Sequence, residues 1–163
     1  MNASLLFRSL LAASALTLSL AVPARPVHAF TEDSFATIRA RYAGKPLVVH
    51  IWGMTCGPCI VELPQWGILE RKRPGMNLVL IQADQAPAPA SEQTLEQAGL
   101  GKVESWGVTS ELDEYLRASI DPKWVGDMPR TLLISPSGEI TRLRGVANLD
   151  DVDRWLDRAS PGK

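Results

Sequence analysis

An apolar run broken only by a histidine, Leu47-Val48-Val49-His50-Ile51-Trp52, leads through Gly53-Met54-Thr55 into Cys56-Gly57-Pro58-Cys59. A helix-compatible segment, Ile60 to Leu69, follows at once. The continuity of the run predicts a strand buried on both faces, as in a parallel or mixed sheet. Two cysteines three apart therefore stand where a strand hands over to a helix. A helix N-terminus carries unpaired N–H groups and a partial positive charge, and both favour a thiolate. Such a site lowers a thiol pKa from about 8.5 to roughly 3.5–7.5. The thiolate attacks a disulfide, and a second cysteine one turn on resolves the mixed disulfide. Cys56 opens the helix and is the expected attacking thiol; Cys59 is the expected resolving thiol, buried behind it. Pro58 suits a first helical turn, where its missing N–H costs nothing.

The chain begins with features of an export leader. Arg8 gives a positive start, and Leu10 to Val22 is apolar with Ser and Thr interspersed. Small residues then offer cleavage after Ala29 or after Ala24, the former preferred. The run is too short for a spanning helix. The expected organisation is a signal peptide over 1–29 and one domain over 30–163, periplasmic or otherwise exported, with no stable membrane span after processing. An oxidising compartment permits a structural disulfide. A bridge gains stability by closing a long loop, however, and this loop is nearly the shortest possible, so reactivity explains the pair better. The 17 basic and 18 acidic residues are scattered, with no basic run, which argues against a nucleic-acid partner.

Further along, a helix is predicted from Thr31, capped by Asp33 or Ser34 and ended by Gly44. The active-site helix should run from about Cys56 to Arg71, with Pro64 inside it. Asn77 to Ala83 reads as the next strand, joined to the first by a parallel crossover. Gln85 to Ala90 reads as a loop, Ser91 to Gln97 as a short helix, and Lys102 to Val108 as an edge strand. Ser110 with Asp113 predicts a capping box for Glu111 to Ile120. Thr131–Ser135 and Glu139–Leu143 flank Pro136-Ser137-Gly138, a hairpin signal. Asn148 or Asp150 caps a last helix with Val152, Trp155 and Leu156 inward.

Cys-Gly-Pro-Cys after an apolar strand resembles the active site of the thioredoxin superfamily. Glu62, three residues after Cys59, and Pro64 resemble its exported TlpA/ResA-like branch. Gly126-Asp127-Met128-Pro129-Arg130-Thr131-Leu132-Leu133-Ile134 resembles that branch's cis-proline loop and following strand. The resemblance covers roughly Leu47 to the C-terminus. It implies an α/β thioredoxin-like fold, a central mixed β-sheet flanked by helices. It also implies that Met128 and Pro129 contact the substrate backbone and that Glu62 tunes the thiols. A carboxylate near a thiol raises its pKa and can accept its proton. His50 departs from the pattern, because thioredoxins carry a buried acid there. Near the resolving thiol it could shuttle a proton, or if protonated favour the thiolate; a hydrogen-bonded core histidine is the plainer reading. Thr55 also departs, where many relatives carry tryptophan. Trp52 is expected to pack beneath the site.

The implied activity is that of an exported thiol–disulfide oxidoreductase working on protein disulfides, most simply as a reductant. No cofactor and no metal are expected. Relatives are recharged by a membrane thiol transporter of the DsbD/CcdA type. The alternative is a copper(I)-binding module of the cell envelope, since soft thiolates suit Cu(I). A peroxide-reducing site of the form Pro-x-x-x-Thr-x-x-Cys does not fit the sequence, because Thr55 adjoins Cys56.

Overall fold

The computed structural model describes residues 25–160. The leader expected over 1–29 lies, up to residue 24, outside the described residues. The elements are β1 (His28–Phe30), α1 (Ser34–Arg41), β2 (Leu47–Trp52), α2 (Gly57–Lys72), β3 (Leu78–Gln82), α3 (Ala88–Gln97), β4 (Glu104–Val108), α4 (Glu114–Ile120), β5 (Arg130–Ile134), β6 (Ile140–Arg144) and α5 (Leu149–Ala159). They form a six-stranded sheet in the order β1-β4-β3-β2-β5-β6. The first four strands of that order are mutually parallel; β5 runs antiparallel to β2, and β6 antiparallel to β5.

β2 lies between β3 and β5 and is buried at all six positions. That is what its unbroken apolar character requires. Its side chains alternate between two cores. Val48 and Trp52 join Cys59, Leu63, Trp66, Val152 and Leu156 on the side of α2 and α5. Leu47, Val49 and Ile51 join Phe35, Ile38, Leu116 and Trp124 on the side of α1 and α4. The period of two thus decides which residues of β2 lie under the cysteine-bearing helix.

Several expectations shift. β4 is interior, not an edge, because β1 pairs with it along His28↔Trp106, Ala29↔Gly107 and Phe30↔Val108. β1 straddles the boundary expected after Ala29, and a chain beginning at Phe30 would keep only the last of its residues. α3 starts at Ala88 in the stretch read as loop; Pro87 is its N-cap and Pro89 sits in its first turn, where a missing N–H is tolerated. α4 starts at Glu114, and its cap is Asp113, whose carboxylate accepts from the Leu116 amide at 2.8 Å. Ser110 plays no part in that cap. The last helix is capped by Asn148, which accepts from the amides of Asp150 and Asp151. Trp155 is only half-buried there.

One glycine lets α2 approach the C-terminal end of α3. A Cβ on Gly67 would lie 1.9 Å from the backbone oxygen of Ala98. Alanine in place of a mid-helix glycine ordinarily stabilises by roughly 0.5–1 kcal/mol. Here the sign reverses, since backbone must move and overpacking costs about 1–3 kcal/mol. Gly67→Ala is expected to lower the melting temperature, as read by thermal denaturation followed by circular dichroism.

Candidate active site

Cys56 is the N-cap of α2, and Cys59 lies in its first turn. The two sulfurs are bonded in a disulfide. Their surroundings differ: Cys56 is partly exposed, whereas Cys59 is 0% exposed within the α2-side core. The Cys59 amide donates to Cys56 Sγ at 3.3 Å. An N-capping sulfur therefore occupies the place where a side-chain oxygen ordinarily satisfies an orphan N–H. The same donor and the helix dipole would stabilise a thiolate at Cys56 once the disulfide opens.

The turn before Cys56 is held from β3. Asp84, just beyond the end of β3, accepts from the Met54 amide at 2.9 Å, the Thr55 amide at 2.8 Å and the Thr55 hydroxyl at 2.8 Å. Burial pushes this carboxyl up, but the Thr55, Met54 and Gln82 donors outweigh it and hold it below the usual range. Gly53 is required beside it, because a Cβ there would approach Asp84 Oδ2 to 2.9 Å. Asp84 was not among the residues singled out from sequence. The signal for it is position: an acid directly past a parallel strand that ends beside the strand feeding the cysteines.

The Met128–Pro129 peptide is cis. The β2–β5 register ends at Ile51↔Arg130, which sets Pro129 level with Trp52. The Gly145 amide donates to the Pro129 carbonyl at 2.9 Å, so the start of α5's approach is tied to the same loop. Met128 is half-buried and touches both cores, including the one that contains Cys59. Trp52 is 1% exposed beneath the junction, a packing residue.

His50 and Glu62 are both buried on the α2 side. His50 Nδ1 hydrogen-bonds Thr131 Oγ1 at 3.0 Å, and its ring lies 4.8 Å from that of Trp66. His50 Nε2 has no hydrogen-bond partner in the protein. Burial pushes the imidazole down to about 3, so it is neutral at physiological pH and brings no positive charge to the thiols. Glu62 is 1% exposed; Oε1 accepts from the Ala147 amide at 2.8 Å, and Oε2 is unpartnered. Burial raises its pKa, offset in part by the Ala147 amide and the nearby Trp66 indole. One helical turn separates Glu62 from Cys59, so the two share a face of α2. Among the described residues, no three His, Cys, Asp or Glu side chains gather as metal ligands would.

The state of His50 sets a pH dependence. The unfolded chain protonates this histidine near 6.5, and the folded protein does so only near 3. Its contribution is therefore full above the unfolded value and is lost, at about 1.4 kcal/mol per pH unit, as pH falls between them. Glu62 acts in the opposite sense: its raised pKa stabilises below the unfolded carboxyl value and that gain fades as pH rises through the folded one. Comparison with His50→Gln isolates the histidine. The variant is expected to lose less stability than the parent between pH 6.5 and 4.5, by urea denaturation at each pH. Equal slopes would mean that His50 titrates freely in the folded protein.

No protein-family model matches the chain. Curated proteins that match include two named thiol-disulfide oxidoreductase ResA. The one from Oceanobacillus iheyensis is 25% identical over 122 residues, covering 72% of this chain and 59% of the relative. The one from Geobacillus kaustophilus is 28% identical over 123 residues, covering 74% of this chain and 66% of the relative. The chain thus spans about three-fifths to two-thirds of the curated relatives it matches. Among solved structures, a thiol:disulfide interchange protein of the thioredoxin family from Chlorobium tepidum TLS superposes with a TM-score of 0.58 at 22% identity, over 85% of this chain and 99% of that one. That likeness is one of fold: a central mixed sheet flanked by helices. The chain is thus similar in sequence to the ResA thiol-disulfide oxidoreductases and thioredoxin-like in fold, with its two cysteines bonded at the head of α2.

Proposed function

We propose that the protein is an exported thiol–disulfide oxidoreductase that reduces disulfides in other proteins through Cys56 and Cys59. The observation that carries this reading is the unequal pair itself: a half-exposed sulfur capping α2, bonded to a fully buried one. In the reduced protein the Cys56 thiolate attacks one sulfur of a substrate disulfide and releases the other as a thiolate. Cys59 loses its proton and attacks Cys56 Sγ, which frees the second substrate sulfur and closes the Cys56–Cys59 disulfide. Two electrons pass to the substrate, and a donor of the DsbD/CcdA type would return them. The Met128–Pro129 loop, level with the β2–α2 junction, would receive the substrate backbone as a short added strand.

Cys59 is buried and must be deprotonated in place. Of the two candidate acceptors, Glu62 is the better base, because burial raises its carboxyl while it lowers His50 to about 3. His50 then serves mainly as a neutral, hydrogen-bonded partner of Thr131. Glu62 is therefore the acceptor we propose ahead of His50.

The decisive variant is Cys59→Ser. It is expected to accumulate mixed disulfides through Cys56 with exported proteins, seen as adducts that reductant removes, while the parent reduces insulin catalytically. Stoichiometric retention of Cu(I) by a parent that reduces no disulfide would replace this reading with a metal carrier.

Export itself rests on the leader-like start, and β1 supports processing after Ala24. Cleavage there retains His28–Phe30, whose pairing with β4 completes the sheet. The Arg25 nitrogen, hydrogen-bonded to the Gly101 carbonyl at 2.9 Å, would then become the free amino terminus. N-terminal sequencing of the processed protein is expected to read from Arg25; a start at Phe30 would refute it.

A further inference from the structure

We propose that Arg130 is a positioning residue for protein substrates, its buried guanidinium holding the Met128–Pro129 loop in place beside the cysteines. The inference rests on the oxidoreductase reading and adds to it a residue that never touches the sulfurs.

Arg130 opens β5 at 2% exposure, in a strand whose neighbours on the same face are Leu132 and Ile134. A charge is costly in such a place unless paired. Its Nη2 donates to Asp121 Oδ2 at 2.6 Å, and both partners are buried. Its Nη1 reaches both carboxylate oxygens of Asp127 at 3.4 Å. Asp121 is the C-cap of α4 and also accepts from Arg142 Nε at 2.9 Å and the Lys123 amide at 3.1 Å. Burial pushes the Asp121 carboxyl up, but Arg142, Arg130 and the Lys123 amide prevail and bring it to about 2, so it remains charged. Asp127 also accepts from Arg144 Nε at 2.8 Å, and its carbonyl accepts from Trp124 Nε1 at 2.9 Å.

The residues on either side of the Met128–Pro129 pair are therefore the ones clamped. Asp127 is held by Arg130, Arg144 and Trp124; Arg130 is held by Asp121. Through them the loop is fixed to the end of α4 and to β6. Arg130 lies on the α4 side of the sheet. The next residue, Thr131, faces the α2 side and bonds His50. Arg130 can influence the cysteines only through the loop.

Stability alone explains this network poorly. A buried ion pair is often no more stabilising than apolar residues of equal volume. Arg130 Nε is left without a partner, a further cost. What the network does supply is one fixed position for a loop that would otherwise hang between β-strand and turn.

The test separates large from small disulfides. Prereduced parent, Arg130→Met and Asp127→Asn are mixed in single turnovers with insulin and with a small aromatic disulfide that needs only an accessible thiolate. Both variants are expected to require between about ten- and a hundredfold more insulin for half-maximal rate, the scale of ångström-level misplacement. The small disulfide should react within twofold of the parent rate, and the pH dependence of Cys56 alkylation should not move. Asp127→Asn keeps the buried Asp121–Arg130 pair, so it carries the test if Arg130→Met does not fold. Parent-like insulin kinetics in a folded Asp127→Asn would overturn the proposal. So would a parallel loss with both disulfides that tracks the fall in melting temperature. A parent that reduces neither disulfide would instead overturn the oxidoreductase reading, and this inference with it.

Discussion

The Cys59 amide points at the Cys56 sulfur from 3.3 Å, at the only end of α2 where four amides lack helical partners. This interaction fixes more than one sulfur. It makes Cys56 the cap and puts Cys59 in the first turn, on the inward face. One sulfur is thereby set toward solvent and the other into the core. For the cap to lie at the sheet's end, β2 must stop at Trp52 and the chain must turn sharply. Gly53 and Asp84 make that turn possible, the first by having no side chain and the second by accepting the Met54 and Thr55 amides. The position of β3 thus governs the geometry of the cysteines, although it contributes no sulfur.

Beneath the pair the core is not wholly apolar. His50, Glu62, Trp52 and Trp66 each bury a polar atom that has no partner in the protein. A buried polar group without a hydrogen bond costs on the order of 1–3 kcal/mol, so four around one helix are not neutral packing. Burial acts on the two titratable members in opposite directions, lowering the histidine and raising the carboxyl. Both changes favour the uncharged form. Cys59 consequently sits among groups that resist charge, and burial disfavours an unpaired thiolate there as it disfavours an imidazolium at His50.

Local signals in the sequence foretold the central elements well. β2 falls on the residues where the apolar run places it, and α2 begins one residue after the expected start, with its cap on Cys56. The hairpin from β5 to β6 follows from Pro136-Ser137-Gly138, where Gly138 adopts φ +87°. These features depend on neighbours in the chain. β1 was not legible, because His28 and Ala29 also read as the end of a leader, and only β4 turns them into a strand. The start of α3 was hidden by prolines that serve equally well in a loop or a first turn. Asp84 and the Asp121–Arg130 pair were out of reach for a different reason. The partners of Asp84 lie 29 and 30 residues away, the Asp121–Arg130 pair meets only across an irregular loop, and no periodicity marks a charge that will be buried.

β5 brings these strands of the structure together. Its side chains alternate, so consecutive residues serve opposite faces. Thr131 meets His50 under α2, while Arg130 meets Asp121 at the end of α4. Pro129, the residue before them, stands level with Trp52 at the mouth of the cysteine turn. A one-residue slip of β5 against β2 would exchange the two faces, burying Arg130 against Trp66 and His50 and leaving Asp121 without its buried partner. The charge network therefore specifies register as well as loop position. The antiparallel strand β5, between β2 and β6, also fixes, in one register, where the proline loop stands and what lies beneath the buried cysteine.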